Sequence, residues 1–326
     1  MCNMEDNLKM QAERPRPTLF AANGFALLAS AGLWISSILA GVVVGITLAK
    51  NQWSQQGLMA LVNVIYYLPF VLLPIILYMR KNRGLSEAMR LNPMPILPTI
   101  SVVLLALLSV YAASILVNLW SLLLEAFGLV YVDTSVIPES TSELMLSVIT
   151  MAAVPAVCEE LLFRGFIFSA WETRGTRFAI FVSSLLFSLM HGNLYGLPAY
   201  LVIGALSAYL VFALNSLYAG IIFHTVYNTA CLLISYLISG EVAQEAAVEA
   251  VSSSQLAIAM IVQLIMITLM AAVTLFSLHM RCKATGIEPI PRIRQRQSAR
   301  ERIMLVLALI SMLAMMLLNL WAGGVA

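Results

Sequence analysis

Charge is what this chain has least of. Only 10% of its 326 residues are Asp, Glu, Lys or Arg, whereas 61% are hydrophobic and the mean hydropathy is +0.92. Soluble domains are about 45–50% apolar, so the composition excludes a soluble protein. The small net charge of +2 comes with cations spread over short loops, which leaves no basic patch for nucleic acid. Cysteine is scarce as well: Cys2, Cys158, Cys231 and Cys282 stand far apart without metal-type spacing, and Cys158 and Cys231 read as small packing residues. The opening MCNMEDNLKMQAERPRP has no apolar core followed by a small-residue cleavage site, so the first span reads as retained.

Apolar runs of about 20 residues fill the space that charge leaves. They are continuous rather than alternating, which argues for helices and against a barrel. The reading is all-α: a polytopic transmembrane helical bundle of about eight to nine spans. Nine candidates fall at about 18 to 49, 57 to 79, 97 to 126, 142 to 170, 176 to 191, 195 to 214, 217 to 239, 255 to 280 and 303 to 322. Threading nine puts three basic loops on one side: Arg80 to Arg90, Arg174 with Arg177, and Arg281 to Arg302. The positive-inside rule makes that side, and the N-terminus with it, cytoplasmic in a multi-pass protein of the cell membrane. Met-rich stretches such as MLAMM read as packing or lipid-facing, and Trp53, Trp171 and Trp321 as interfacial belt residues.

Ionisable residues at membrane depth are costly and mark function. Of 16 acids, only Glu159 and Glu160 sit well inside an expected span; Glu125 and Glu143 lie near span ends and the rest in loops or tails. Of three histidines, His191 and His224 lie in or at the end of apolar segments, and His279 at a span end beside Arg281. Glu160 precedes Arg174, and His191 follows Arg177, by about 21 Å of regular helix, which places both in one layer, with Asn228 about 16 Å and His224 about 10 Å deep. Glu160 and Arg164 are four apart, as are His224 and Asn228, so each pair shares a helical face. Glu159 is turned about 100° from Glu160 and serves a different neighbour.

Carboxylates, imidazoles and an amide suit hydrolysis, with a base for water and donors for an oxyanion. The sequence has no HExxH and no GxSG, and its aspartates, Asp6 and Asp133, lie outside the spans, which excludes the common metallo-, serine and aspartyl patterns. Zinc held by Glu159, His191 and His224, with an open fourth position, stays possible by residue type.

Three ordered stretches carry a resemblance. EELLFR (Glu159, Glu160, Arg164), FSLMH (Phe187 to His191) and HTVYN (His224 to Asn228) match EExxxR, FxxxH and HxxxN/B of the CPBP family, the CAAX proteases and bacteriocin-processing enzymes also called Abi. The chain resembles that family over about residues 145 to 235. The resemblance implies an eight-helix-type intramembrane protease core related to the eukaryotic prenyl-protein peptidase; the leading reading is a metal-independent endopeptidase with no cofactor. It implies Glu159 and His191 as base and water ligand, His224 and Asn228 as oxyanion donors, and Glu160 with Arg164 as the orienting pair. On this reading residues 1–141 are N-terminal transmembrane helices, 142–240 the catalytic core, and 241–326 C-terminal helices with a basic cytoplasmic loop. The expected partner is a membrane-associated peptide or protein substrate, with prenylated CAAX proteins, signal peptides and bacteriocin leaders all compatible; the oligomeric state stays open. Other readings of the same polar core are a zinc-dependent protease, a non-proteolytic bacteriocin self-immunity or partner-binding scaffold, and a small-solute transporter; the last predicts internal repeats that the sequence lacks.

Overall fold

In the computed structural model, the structure describes residues 16–48, 55–82, 87, 89–129, 137–239, 265, 267–272, 274–276, 279 and 297–324. Every element among them is helical, as an apolar chain requires where lipid offers the backbone no hydrogen bonds. In chain order the elements are α1 (Leu19–Leu48), α2 (Gly57–Lys81), α3 (Ile96–Glu125), α4 (Thr141–Arg174), α5 (Thr176–Met190), α6 (Leu197–Leu214), α7 (Leu217–Ser239) and α8 (Ala299–Gly324). Seven helices are long and apolar enough to cross a membrane; α5 is shorter. About half of the expected span at 255 to 280, most of the basic loop after it, and Cys2, Trp53, Asp133 and Cys282 lie outside the described residues; within that span Ile267–Phe276 is a short apolar helix.

α5 covers the fifth expected span, 176 to 191, and is short for one. Its 15 residues rise about 22 Å, against about 30 Å of hydrocarbon. The helix is shorter than that thickness, and the turn to α6 needs partners for its backbone. It finds them in side chains: Asn319 Nδ2 of α8 donates to the Gly192 carbonyl at 3.0 Å, Trp120 Nε1 of α3 to the Leu194 carbonyl at 2.9 Å, and Ser188 Oγ to the Leu197 carbonyl at 2.6 Å. Asn193 Oδ1 accepts from the Tyr195 and Gly196 amides. Gly192 takes φ 59°, a conformation that favours glycine.

α1 and α8 run side by side in the same direction. Asn23 Nδ2 donates to the Glu301 carbonyl at 2.9 Å, and two turns on Ser30 Oγ meets Ser311 Oγ at 2.7 Å. Fully buried Ala22, Ala26, Ala29 and Ala308 keep the side chains small, the usual route to close packing when lipid supplies no hydrophobic drive.

α4 is not a uniform α-helix. Residues Val148–Ala153 and Leu161–Phe168 are wound as π-helix on either side of Val154–Glu160. Pro155 explains the first stretch, because it has no N–H and its ring crowds the carbonyl four residues back. The Val154 amide reaches back five residues to the Ile149 carbonyl; in that register Pro155 would take the Thr150 carbonyl but cannot. Asn63 Nδ2 of α2 donates to Thr150 instead, at 2.8 Å. In the second stretch Ser183 Oγ of α5 donates to the Phe163 carbonyl at 2.8 Å. Such π segments concentrate at functional sites.

A buried ion cluster ties one end of the bundle together. Glu172, read from the sequence as a loop acid, is 1% exposed at the end of α4. Its Oε2 accepts from Arg16 at 2.9 Å and Arg90 at 2.7 Å, and its Oε1 from Thr176 Oγ1 at 3.2 Å. Arg90, at φ 56°, is fixed further by Phe168 beneath its guanidinium and by the Leu217 amide on its carbonyl. The end of α4, the start of α5, the start of α7 and the segment before α3 therefore meet at one level, in keeping with the basic loops sharing a side.

Removing one partner of a buried charge pair costs about 3 kcal/mol. Arg90→Ala is expected to lower the melting temperature in detergent by several degrees, read by fluorescence, while Arg80→Ala, in an exposed position, leaves it unchanged.

Candidate active site

The two adjacent glutamates of α4 point into different surroundings. Glu160 is 0% exposed and its oxygens are fully engaged. Oε1 accepts from Arg164 Nη1 at 2.7 Å and from His224 Nδ1 at 3.1 Å; Oε2 accepts from Ser207 Oγ at 2.7 Å. Arg164, one turn along, spends Nη2 on the Gly204 carbonyl at 2.9 Å and lies 4.4 Å over the Phe187 ring, a cation–π contact in a fully desolvated place. α4, α6 and α7 are thus joined through one carboxylate.

Glu159 keeps more freedom. Its side chain is 16% exposed, and Oε1 accepts from the Tyr67 hydroxyl of α2. Oε2 is buried without a hydrogen-bond donor among the described residues; the nearest charged or basic atom recorded is His224 Nε2 at 3.9 Å, beyond hydrogen-bonding range.

Both histidines have their tautomer set by what Nδ1 meets. His224 Nδ1 faces a carboxylate paired with Arg164, so it carries the proton, and in the neutral ring Nε2 has the lone pair. Nε2 donates only when the ring is cationic. His191, in the turn that ends α5, has Nδ1 2.8 Å from the Phe187 carbonyl, which can only accept, so its Nε2 also holds a lone pair. Tyr200 stacks on the His191 ring at 4.1 Å. Phe187 meets both imidazoles edge-on, 4.7 Å from His191 and 5.5 Å from His224.

The structure therefore gathers Glu159, Glu160, Arg164 and His224 into one contact network and links His191 to it through Phe187. Asn228 lies one turn beyond His224 on α7, half-buried, and its side chain makes no hydrogen bond with another described residue. His279 stands apart, 3.5 Å from the Tyr209 hydroxyl. Among the described residues no three His, Cys, Asp or Glu side chains converge as a metal-ligand set. His224 meets Glu160 despite the shallower depth expected for it.

Sequence reasoning missed Tyr67, Ser207 and Gly220. A Cβ on Gly220 would fall 2.5 Å from Glu160 Oε2 and 2.9 Å from Ser207 Oγ, so only glycine lets α7 approach the carboxylate. Gly220 sits one turn before His224, which is the one local signal that could have singled it out.

Gly220→Ala is expected to cost about 1–3 kcal/mol of overpacking, read as a fall of several degrees in melting temperature. Gly41→Ala, where an added Cβ meets nothing within 4 Å, is the control and should be neutral or slightly stabilising.

No curated protein and no solved structure matches the chain. A family model does: residues 141–230 match the Rce1-like family, described as type II CAAX prenyl endopeptidase Rce1-like. The matched stretch runs from the start of α4 into α7 and contains Glu159, Glu160, Arg164, His191, His224 and Asn228. Helical, apolar and carrying this segment, the chain is a membrane protein with an Rce1-like domain over residues 141–230, consistent with membership of the CPBP family of intramembrane proteases.

Proposed function

We propose that the chain is an intramembrane endopeptidase of the cell membrane that hydrolyses a peptide bond of a membrane-associated substrate, lipidated or carrying a leader, with water activated by Glu159 and His191. One observation carries the reading: of two adjacent glutamates, Glu160 has both oxygens saturated by Arg164, His224 and Ser207, while Glu159 keeps one oxygen without a donor. A general base needs such an oxygen. The Nε2 lone pair of His191 is a second acceptor for the same water.

The reaction then runs through the chain's own groups. Glu159 Oε2 takes a proton from water as the oxygen attacks the scissile carbonyl. The resulting oxyanion is met by Asn228 Nδ2 and by His224 in its cationic form, which takes a proton from bulk water on Nε2 before the substrate binds and keeps it through the turnover; Glu160, already on Nδ1, stabilises that cation. The proton on Glu159 passes to the leaving amine, which restores the carboxylate. Arg164 holds Glu160 charged and fixed. In the zinc-dependent alternative Glu159 and the Nε2 atoms of His191 and His224 would hold the metal, which would supply a Lewis acid for the water, since a carboxylate or carbonyl on Nδ1 is also the usual support of a ligating histidine. The scaffold alternative assigns the network no chemistry.

The test is a quantitative comparison of protein ends in membranes and medium from cells expressing the wild-type chain, Glu159→Gln or His224→Ala at matched levels. New peptide ends are expected with the wild type and at least about 10²-fold fewer with either variant. Further formation of those ends in isolated wild-type membranes should continue unchanged when a chelator is added. Arrest of their formation on chelation would favour the zinc enzyme, and identical ends in all three strains would leave the scaffold.

A further inference from the structure

The Rce1-like match covers residues 141–230, yet Glu159 is held from outside it. Asn63 and Tyr67 lie one turn apart on one face of α2, and both donate to α4: Asn63 Nδ2 to the Thr150 carbonyl at 2.8 Å, and the Tyr67 hydroxyl to Glu159 Oε1. The first bond fills the acceptor that Pro155 cannot use, which fixes the two helices in register. The second falls on the carboxylate itself. Among the described residues Tyr67 is the one hydrogen-bond donor to Glu159; without it this carboxylate would meet no donor there at all.

We propose that α2 is a working part of the active site and that Tyr67 is its positioning residue. This rests on the reading of Glu159 as the base. By binding Oε1, the Tyr67 hydroxyl fixes the rotation of the carboxylate, so that Oε2 is the oxygen turned toward His224 Nε2. A glutamate side chain has three rotatable bonds, and a base that samples several rotamers spends little time in line with its water. The ring of Tyr67 is already accounted for by burial and by Tyr66, 4.6 Å away. Packing needs that ring, but it does not need the hydroxyl to fall on the catalytic carboxylate. The N-terminal half of the chain thereby acquires a role: it brings a donor to a domain whose own residues leave Glu159 loose.

Tyr67→Phe tests this, because it keeps the ring and deletes the bond. The purified full chain is reconstituted in proteoliposomes, and the probe is a synthetic peptide spanning a cleavage site defined by the Glu159-dependent ends. Expected for Tyr67→Phe are a fall in kcat of about 10²-fold, the size that small misplacements of a reacting group produce, a KM unchanged within twofold, and an unchanged melting temperature. Tyr66→Phe serves as the control for hydroxyl loss in the same aromatic pair and should match wild type. An inactive Glu159→Gln beside a fully active Tyr67→Phe overturns the inference alone. A loss in Tyr67→Phe that comes with an equal loss of thermal stability also overturns it, since packing then explains the residue. A fully active Glu159→Gln overturns the reading of the site and the inference with it.

Discussion

A carboxylate placed among apolar helices must bring its own partners, because hydrocarbon supplies none. Glu160 imposes that constraint on this fold. It draws Arg164 from its own helix, Ser207 from α6 and His224 from α7, and Arg164 in turn reaches the Gly204 backbone. Gly220 exists to let α7 in, and Gly204 lets α5 close on α6, where a Cβ would stand 3.1 Å from Phe187 Cδ1. A buried pair of this kind contributes little net stability, since desolvation offsets most of the attraction. What it contributes is a unique arrangement: any slip of α6 or α7 leaves a charge unpaired, at a cost of several kcal/mol.

That arrangement divides labour between neighbours in the sequence. The 100° turn between residues 159 and 160 sends one glutamate into a saturated network and the other to its edge. His224 touches both, with Nδ1 at 3.1 Å from Glu160 and Nε2 at 3.9 Å from Glu159, so the structural carboxylate sets the tautomer of the ring that faces the reactive one. A second buried cluster, Glu172 with Arg16 and Arg90, uses the same physics at the end of the bundle, where it locks the segments that flank the site rather than the site itself.

Much of this was legible in the residues. Long apolar runs disclosed the helices, the four-residue spacing disclosed the Glu160–Arg164 pair, and three ordered motifs pointed to the family whose model matches residues 141–230. What escaped were features that depend on distance in the chain or on depth in the bundle. Glu172 reads as a loop acid because its partners lie 156 and 82 residues away. Tyr67 and Ser207 are ordinary span residues until α2 and α6 are packed against α4. Depths reckoned from each helix end separated His224 from Glu160, which the packing of α7 on α4 brings together.

The central claim is that Glu160 organises the site while Glu159 acts in it. Thermal unfolding of purified Glu160→Gln and Glu159→Gln, measured side by side with wild type in the same detergent, tests that claim most directly. Glu160→Gln leaves Arg164 buried against a neutral amide, and the account predicts a drop of many degrees; Glu159→Gln, at the edge of the network, should melt with the wild type. Equal melting of both variants with the wild type, or a larger fall for Glu159→Gln, would contradict it.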